Sequence, residues 1–468
     1  LQPLWRWYAP YLLILRWYKS QLRDGLIDTK SPEATLGFFC ADNQPFLANK
    51  QTPMTSTPLL PGALNAQHIP TLGVMGGGQL GRMLVHQAQR MGYRTAVLEP
   101  EKHCPAGEAS SLHIATAYND GDGLAQLAQV ADAITCEFEN VPAFALRQLA
   151  KTRFVAPAAE CVAIAQDRLA EKAHFVRSQA VSGVGPAPYA PITHAEECAA
   201  APESLFPAIL KTARMGYDGK GQVRIASKAG LPAAWQALRQ APCVLEKMLP
   251  LQAECSVLVA RGQDGTVVHL PVQLNTHHQG ILAKTEVFDG ALPKNLEKAA
   301  QAAAKNIAIE LNYVGVLCVE FFVVQGNDGD DGQAHDGAMQ LVVNEMAPRP
   351  HNSGHWSMDG SDICQFELQV RTLAGLPLVQ PMQHSAAVML NILGDCWFAH
   401  GDAASNQAQT PPWHEVLALP GAHLHLYGKL EPRRGRKMGH ITFTGQDAAK
   451  VQAAARQAAG ILQIAGAF

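Results

Sequence analysis

The chain has 468 residues, 47% hydrophobic and 16% charged, with a formal net charge of −3. That length allows roughly two to four domains with sizeable cores, and the near-neutral balance excludes a field strong enough to grip nucleic acid or an anionic membrane. The ten cysteines contain no C-x-x-C pair, which excludes a zinc ribbon or dithiol motif and leads us to expect a reducing cytoplasm.

Residues 1–53 differ in character from the remainder of the chain. Three of the seven tryptophans fall in LQPLWRWYAPYLLILRWYKS, whose apolar core, Tyr8 to Leu15, contains Pro10 and is far shorter than the ~20 residues of a spanning helix. We expect an extension that is dispensable and poorly ordered, ahead of a start at Met54, with residues 1–67 outside any folded domain. From His68 the pattern changes. IPTLGVMGG runs into glycine, and QLGRMLVHQAQRMG sets Leu80, Met83, Leu84 and Ala88 at helical spacing. TAVLEP and DAITCEFEN read as later strands, and such alternation predicts a parallel sheet with helices on its faces. Gly76, Gly78 and Gly81 spell G-x-G-x-x-G, with Glu99 at the end of the next strand. Those glycines permit close backbone approach, and a helix N-terminus favours phosphate. A tight turn needs the same glycines without a ligand, and Arg82 asks only for an anion, so both readings stay open.

A second region follows QDRLAEKAHFVRSQ. Ala208–Lys211, Cys243–Glu246 and Glu254–Val259 read as short strands, Val314–Val324 and Met339–Val343 as longer ones joined by the hairpin tip GNDGDDGQAHDGA. After Lys211, TARMGYDGKGQ offers a flexible glycine flap whose amides suit a polyphosphate, although the Walker A spacing is absent. Glu246 and Glu254 can accept from hydroxyls such as a ribose. Glu320 and Glu345 are the sharpest feature, because carboxylates inside apolar strands are costly unless paired or bound to a cation. If their strands form a hairpin, both reach one point. With Asn344 adding an oxygen, this donor set suits Mg2+ shared with substrate phosphates. His277 and His278 could serve phosphate or metal, but no third ligand is spaced for zinc. From about Leu376 a smaller strand-rich unit follows: AAVMLNIL, HLHLYGK and KMGHITFTG. Its cluster Lys429, Arg433, Arg434, Arg436 and Lys437 suits a phosphate.

In this order the pieces resemble the ATP-grasp enzymes, and among them the N5-carboxyaminoimidazole ribonucleotide synthetase family. The resemblance is carried by GGGQLGRM (76–83), TCEFENVP (135–142), QDRLAEK (166–172), GYDGKGQ (216–222), VEFF (319–322), NEMAPRPHNSGHW (344–356), QFELQVR (365–371) and GRKMGHI (435–441). It covers residues 70–445. It implies a mixed α/β and α+β chain with an ATP-grasp fold: a Rossmann-like pre-ATP-grasp domain at 68–165, the ATP-grasp domain at 166–375 and a small C-terminal β-rich domain at 376–468. The implied reaction spends ATP to make carboxyphosphate from bicarbonate and carboxylates the amine of 5-aminoimidazole ribonucleotide.

Carried over by the resemblance, Arg168, Lys211 and the flap Gly216, Tyr217, Asp218, Gly219, Lys220, Gly221 and Gln222 should hold the ATP phosphates. Glu246, Lys247, Met248, Leu249 and Glu254 should hold adenine and ribose, with His277 and Asn344 at further ATP positions. Glu320 and Glu345 should bind Mg2+, with Mn2+ as an alternative. Tyr217, Asp218, Arg349, Asn352 and His355 should surround the carboxyphosphate and the amine as catalytic residues. Lys429 and Arg436 should take the ribonucleotide phosphate beside Gly78, Gln79 and Leu80, with Glu137 at the same site. A homodimer without nucleic-acid or membrane partners is expected. Two departures stand out. The tip at 326–338 is longer than the family pattern, and one extra residue in 430–434 leaves open which of Arg433, Arg434 and Arg436 meets the phosphate. A formate-using glycinamide ribonucleotide transformylase is the rival within the fold. A nicotinamide dehydrogenase would leave 216–222 and the glutamate pair without a task, and an inactive nucleotide-binding regulator would not need the full set of site residues.

Overall fold

Short apolar runs without polar alternation build the first sheet. β1 (Thr71–Met75), β2 (Arg94–Leu98), β3 (Leu112–Ile114), β4 (Ala133–Cys136) and β5 (Phe154–Val155) pair in parallel in the order β3-β2-β1-β4-β5. β1 and β4 are buried along their length, as strands covered by helices on both faces must be. The helix Gln79–Arg90 packs through Leu80, Met83, Leu84 and Ala88, the face picked out by its periodicity. β1 has β2 on one side and β4 on the other, so a crevice opens at their carboxyl ends, where α/β sheets hold ligands.

This computed structural model describes residues 57–62, 68–216, 221–325, 339–398 and 407–468, all within a unit spanning Thr55–Phe468. The expected extension at 1–53 with its start at Met54, the tip at 326–338, and Tyr217, Asp218, Gly219 and Lys220 of the flap lie outside the described residues.

The next four strands, β6 (Tyr189–Ile192), β7 (Ala208–Thr212), β8 (Gln222–Ile225) and β9 (Cys243–Lys247), form a small antiparallel sheet ordered β6-β9-β7-β8. Helices Ala195–Ala200 and Leu231–Ala237 cover it through Cys198, Leu231, Ala234 and Trp235.

The third sheet is nine-stranded and antiparallel. It comprises β10 (Leu251–Arg261), β11 (Val267–His269), β12 (Gln273–His278), β13 (Ile281–Val287), β14 (Gly315–Gln325), β15 (Met339–Ala347), β16 (Ala386–Leu393), β17 (Ala422–Leu426) and β18 (Lys437–Gly445). Their order is β15-β14-β10-β12-β13-β16-β18-β17, with β11 beside β10. β16 to β18 follow the boundary expected near 376, and they extend this sheet through the β13–β16 pairing. β13 is buried almost throughout, and an apolar strand left at an edge would invite pairing.

β10 and β14 are buried on both faces. Val257, Val259, Leu317 and Val319 pack under the helix Lys294–Glu310. On the opposite face Leu258, Ala260, Val316 and Cys318 meet Trp356 and Leu368, the latter from the helix Gln365–Ala374. Alternation puts Glu320 on the face of Val316 and Cys318, where that cover ends and a cleft begins. Thus a carboxylate enters an apolar run without entering the core.

Candidate active site

The cleft lies between the small sheet and the large one and has a volume of about 1000 Å3. One wall carries Lys211, Gln222 and Glu246–Leu249, and the other carries Glu254, His277, Glu320, Asn344 and Glu345. Arg168, Gly216, Gly221, Arg349, His351 and Asn352 line it as well.

Glu320 and Glu345 are direct cross-strand partners on β14 and β15. Register then shifts, so Phe321 faces Val343 and Asn344 is the extra residue of a bulge. Strand β15 also runs on to Ala347, so Glu345 sits within it rather than at its end. Burial first, and then the charge of Glu345, push the Glu320 carboxyl up to about 7. Two carboxylates held together in this way suit a divalent cation, and hard oxygen donors fit Mg2+. The residues present therefore fit the metal.

The helix Arg168–Ser182 fixes this pair from behind. Asp167 caps it, accepting from Leu169 and Ala170 N–H groups. One turn in, Lys172 Nζ donates to Asn344 O at 2.8 Å, and Glu171 accepts from Met346 N–H at 2.7 Å. The two side chains thus bracket Glu345 on β15. Lys172 is 1% exposed and also lies 3.4 Å from Glu246 Oε1, while Lys211 Nζ donates to Glu246 Oε2 at 3.0 Å. Burial alone would raise the Glu246 carboxyl, but Lys172 and Lys211 outweigh it and hold it below the usual carboxylate range. Two lysines thus face that carboxylate, whose Oε1 makes no hydrogen bond among the described residues. Glu254 is paired with His277 Nδ1 at 2.9 Å. Burial lowers the His277 pKa, but the hydrogen bond to Glu254 and the carboxylates around it raise it overall. At the helix start Arg168 lies 3.7 Å from Glu345 and donates to Gly216 O at 3.2 Å.

The segment after β15 turns its donors into the cleft. Arg349 Nε donates to Glu139 Oε2 at 2.6 Å. Asn352 Nδ2 is buried with no hydrogen-bond partner among the described residues, a donor awaiting an acceptor. His351 Nε2 lies 3.1 Å from Glu320 Oε1, and its Nδ1 lies 2.9 Å from Ser353 Oγ. Burial, followed by the Arg349 charge, keeps this imidazole neutral, so the contact to Glu320 is a hydrogen bond rather than an ion pair. His355 does not reach the cleft. It is 1% exposed, its Nδ1 meets Gln365 Nε2 at 2.9 Å, and its ring stacks on Phe366. Of the two histidines in NEMAPRPHNSGHW, sequence alone picked the one in the core. His351, Lys172 and Glu171 were missed, although Lys172 is a buried lysine in a motif already singled out.

The glycine turn holds no room for a pyrophosphate. Glu137, following β4, accepts from Gly78 N–H and Gly81 N–H, each at 2.9 Å, and Glu99 accepts from Gly77 N–H at 2.8 Å. The chain's own carboxylates occupy the helix N-terminus that a dinucleotide would use. A Cβ on Gly78 would stand 2.6 Å from Glu137 Oε1, so a larger residue there would push aside the carboxylate that caps the turn. Beside this turn Lys429 Nζ donates to Gln79 Oε1 and to Lys437 O, both at 2.8 Å. Burial and the nearby Arg436 charge lower Lys429 to about 8. Arg433 pairs with exposed Glu431, and Arg434 lies 3.8 Å from Asp395 and over Phe398. Arg436 donates to Glu431 O. Lys437, whose carbonyl holds Lys429, also lines the cleft. The nucleotide-sized space and the clustered carboxylates therefore share one cleft, which reaches Lys437 and, through its carbonyl, half-buried Lys429.

Three family models match the chain: the ribonucleotide synthetase preATP-grasp domain over residues 69–166, the ATP-grasp domain over 179–366, and the phosphoribosylaminoimidazole carboxylase C-terminal domain over 387–454. The N5-carboxyaminoimidazole ribonucleotide synthase of Brucella melitensis is 42% identical over 392 residues, covering 83% of this chain and 98% of that protein. An N5-carboxyaminoimidazole ribonucleotide synthetase solved as its ADP complex has a TM-score of 0.75 and 34% identity, covering 87% of this chain and 99% of the other. The Aspergillus clavatus synthase in complex with ADP and 5-aminoimidazole ribonucleotide has a TM-score of 0.71 at 27% identity, covering 84% and 98%. No described helix is long and apolar enough to cross a membrane.

Proposed function

The chain belongs to the N5-carboxyaminoimidazole ribonucleotide synthase family of ATP-grasp ligases, and from that premise we propose how its residues divide the work. The reaction is the ATP-dependent carboxylation of 5-aminoimidazole ribonucleotide to N5-carboxyaminoimidazole ribonucleotide in purine biosynthesis. The rival transformylase reading is not favoured, and the filled glycine turn counts against a dinucleotide.

In our reading ATP lies in the cleft with its base end toward Glu246–Leu249 and its phosphates toward Lys211, Arg168 and the 216–222 flap. Glu254 and His277 line the ribose side. Glu320 and Glu345, with Asn344, would hold Mg2+, and Mn2+ would fit the same donors. The bound ion would neutralise charge on the transferring phosphoryl oxygens. Glu171 and Lys172 are positioning residues that fix β15 around Glu345. His351 donates to Glu320 and orients it.

Arg349 and the free Asn352 amide are preorganised donors for the carboxyphosphate, and the family resemblance gives Tyr217 and Asp218 a part in the same step. The exocyclic amine attacks the carboxyl carbon, the bond from that carbon to the phosphate oxygen breaks with its electrons on oxygen, and the departing phosphate takes up the proton that the amine loses. Lys429 and Arg436 grip the 5′-phosphate beside Gly78–Leu80. Arg436 is preferred over Arg433 and Arg434 because its charge acts on Lys429, whereas those two face acidic partners. Glu137 shapes that site by capping the glycine turn. The further expectation is a cytoplasmic homodimer with small-molecule substrates, the compartment supported by nine described cysteines that are all unbridged.

The observation that carries this division is the Glu320–Glu345 pairing opposite Lys211 across one cleft. A coupled ADP-release assay tests it. Release should require both bicarbonate and 5-aminoimidazole ribonucleotide. Release driven by formate and glycinamide ribonucleotide would overturn it.

A further inference from the structure

The motif QFELQVR opens the helix Gln365–Ala374, and none of its residues lines the cleft, yet both of its glutamines are fully buried. A buried amide is costly unless its donors and its acceptor find partners. Gln369 joins two sheets: its Oε1 accepts from Val316 N–H at 2.7 Å, and its Nε2 donates to Thr135 Oγ1 at 2.8 Å. The apolar side of the helix, Phe366, Val370 and Leu373, packs into the core under the first sheet. Gln365 therefore projects from a fixed platform.

What it reaches is the loop after β15. Gln365 Oε1 accepts from His351 N–H at 2.8 Å, and Nε2 donates to His351 O at 2.9 Å. One side-chain amide thus pairs both backbone polar groups of His351, as a neighbouring strand would. A backbone N–H can only donate, which fixes Oε1 toward it and Nε2 toward the carbonyl. The second Nε2 hydrogen then meets His355 Nδ1 at 2.9 Å, and that nitrogen accepts. Burial, followed by the charges of His425, Lys437 and Arg349, lowers His355 to about 3, so its ring is neutral and has the lone pair to offer. His355 in turn stacks on Phe366 and on His440, with ring centroids at 5.8 and 4.6 Å. A Cβ on Gly354 would stand 2.6 Å from Gln365 Oε1 and 2.6 Å from Leu258 Cδ2, so the close approach of loop and helix uses the glycine of HNSGHW.

On the reading of Glu320 as a metal ligand and Asn352 as a donor to carboxyphosphate, we propose that Gln365, backed by His355, is a positioning residue for the carboxylation. It locks the His351 backbone so that His351 Nε2 faces Glu320 and Asn352 Nδ2 faces the cleft. His351 Nε2 stands 3.1 Å from Glu320 Oε1, and the buried Nδ2 of Asn352, the next residue, has no partner among the described residues. Without the amide His351 N–H loses its acceptor, while His351 O keeps Gly354 N–H at 3.0 Å, so the loop can turn about the bond that remains. A misplacement of about 1 Å can cost about 100-fold in rate. Carboxyphosphate held less firmly meets water, which returns it to bicarbonate and phosphate, and ADP is then made without product.

Full-length Gln365→Met and Gln365→Glu test this beside the parent and Asn352→Ala. The coupled assay follows ADP, and radiolabelled bicarbonate with a methylating quench, which stabilises the carbamate, follows product. The balanced reaction makes one product per ADP in the parent. Gln365→Met keeps the volume and should lower kcat about 10–100-fold and product per ADP by about twofold or more. KM for the ribonucleotide should stay within about threefold, because Lys429 and Arg436 lie in a different connection. Gln365→Glu keeps the acceptor for His351 N–H and should recover part of both losses; it also serves if methionine prevents folding. Damaged packing alone would reduce the amount of folded enzyme and leave product per ADP unchanged. Asn352→Ala separates the two layers: a parent-like ratio there removes the carboxyphosphate role of Asn352 and the Gln365 role with it. A lowered ratio in Asn352→Ala beside a parent-like ratio in the Gln365 variants overturns the role of Gln365 alone.

Discussion

Replacing Lys172 with methionine keeps the volume and removes the charge. Two contacts disappear: the bond to Asn344 O at 2.8 Å and the approach to Glu246 at 3.4 Å. Breaking a buried ion pair from one side costs about 3–5 kcal/mol. Here Glu246 keeps Lys211 at 3.0 Å, which moves the expectation to the lower end of that range. The unpaired Asn344 carbonyl adds about 1–3 kcal/mol. A total of about 4–6 kcal/mol corresponds to a fall in Tm of about 8–24 °C for a domain of about 150–250 residues. Differential scanning calorimetry measures it. Because the lost contacts hold β15 beside Glu345, KM for ATP should rise as well. Adding Glu246→Gln should cost less than its effect in the parent, giving a coupling of about 0.5–3 kcal/mol in a double-mutant cycle. A Tm within about 2 °C of the parent, or strictly additive effects, would refute the bracket.

Glu345→Gln should abolish turnover and yet leave the metal-free protein as stable or slightly more so, since Glu345 is part of what raises Glu320; activity and Tm measured together check this. Lys429→Ala should raise KM for the ribonucleotide at least tenfold, and far more than KM for ATP. The pH profile gives a second handle on Lys429. Its pKa is lowered to about 8, and a phosphate dianion is held by the protonated form. Affinity is therefore greatest at about pH 7, above the second pKa of the phosphate at about 6, and falls as pH rises through about 8, by no more than tenfold per unit. Lys429→Arg, charged throughout, should flatten that limb of log KM against pH.

Much of this was legible in the chain because period and position agreed. The helix Gln79–Arg90 shows its buried face in Leu80, Met83, Leu84 and Ala88, and the apolar strands carrying Glu320 and Glu345 advertise two carboxylates that need a reason. What stayed hidden was pairing at a distance. Nothing local says that β16 will join β13, because a strand's partner is set by which edge lies free. Likewise the spacing of His351 and His355 permits either to face the cleft, and only the turn geometry and the stack on Phe366 assign His355 to the core. Lys172 was hidden for the opposite reason. A lysine on a helix normally reads as solvated, and its burial is explained only by distant partners, the carbonyl of the β15 bulge and the Glu246 carboxylate.

The most direct measurement for the glutamate pair is an electron paramagnetic resonance titration of Mn2+ into protein saturated with ADP. If those two side chains seat the metal–nucleotide complex, the parent binds one Mn2+ per chain, and Glu320→Gln and Glu345→Gln each bind it at least tenfold more weakly. Equal Mn2+ occupancy in all three proteins would contradict the account.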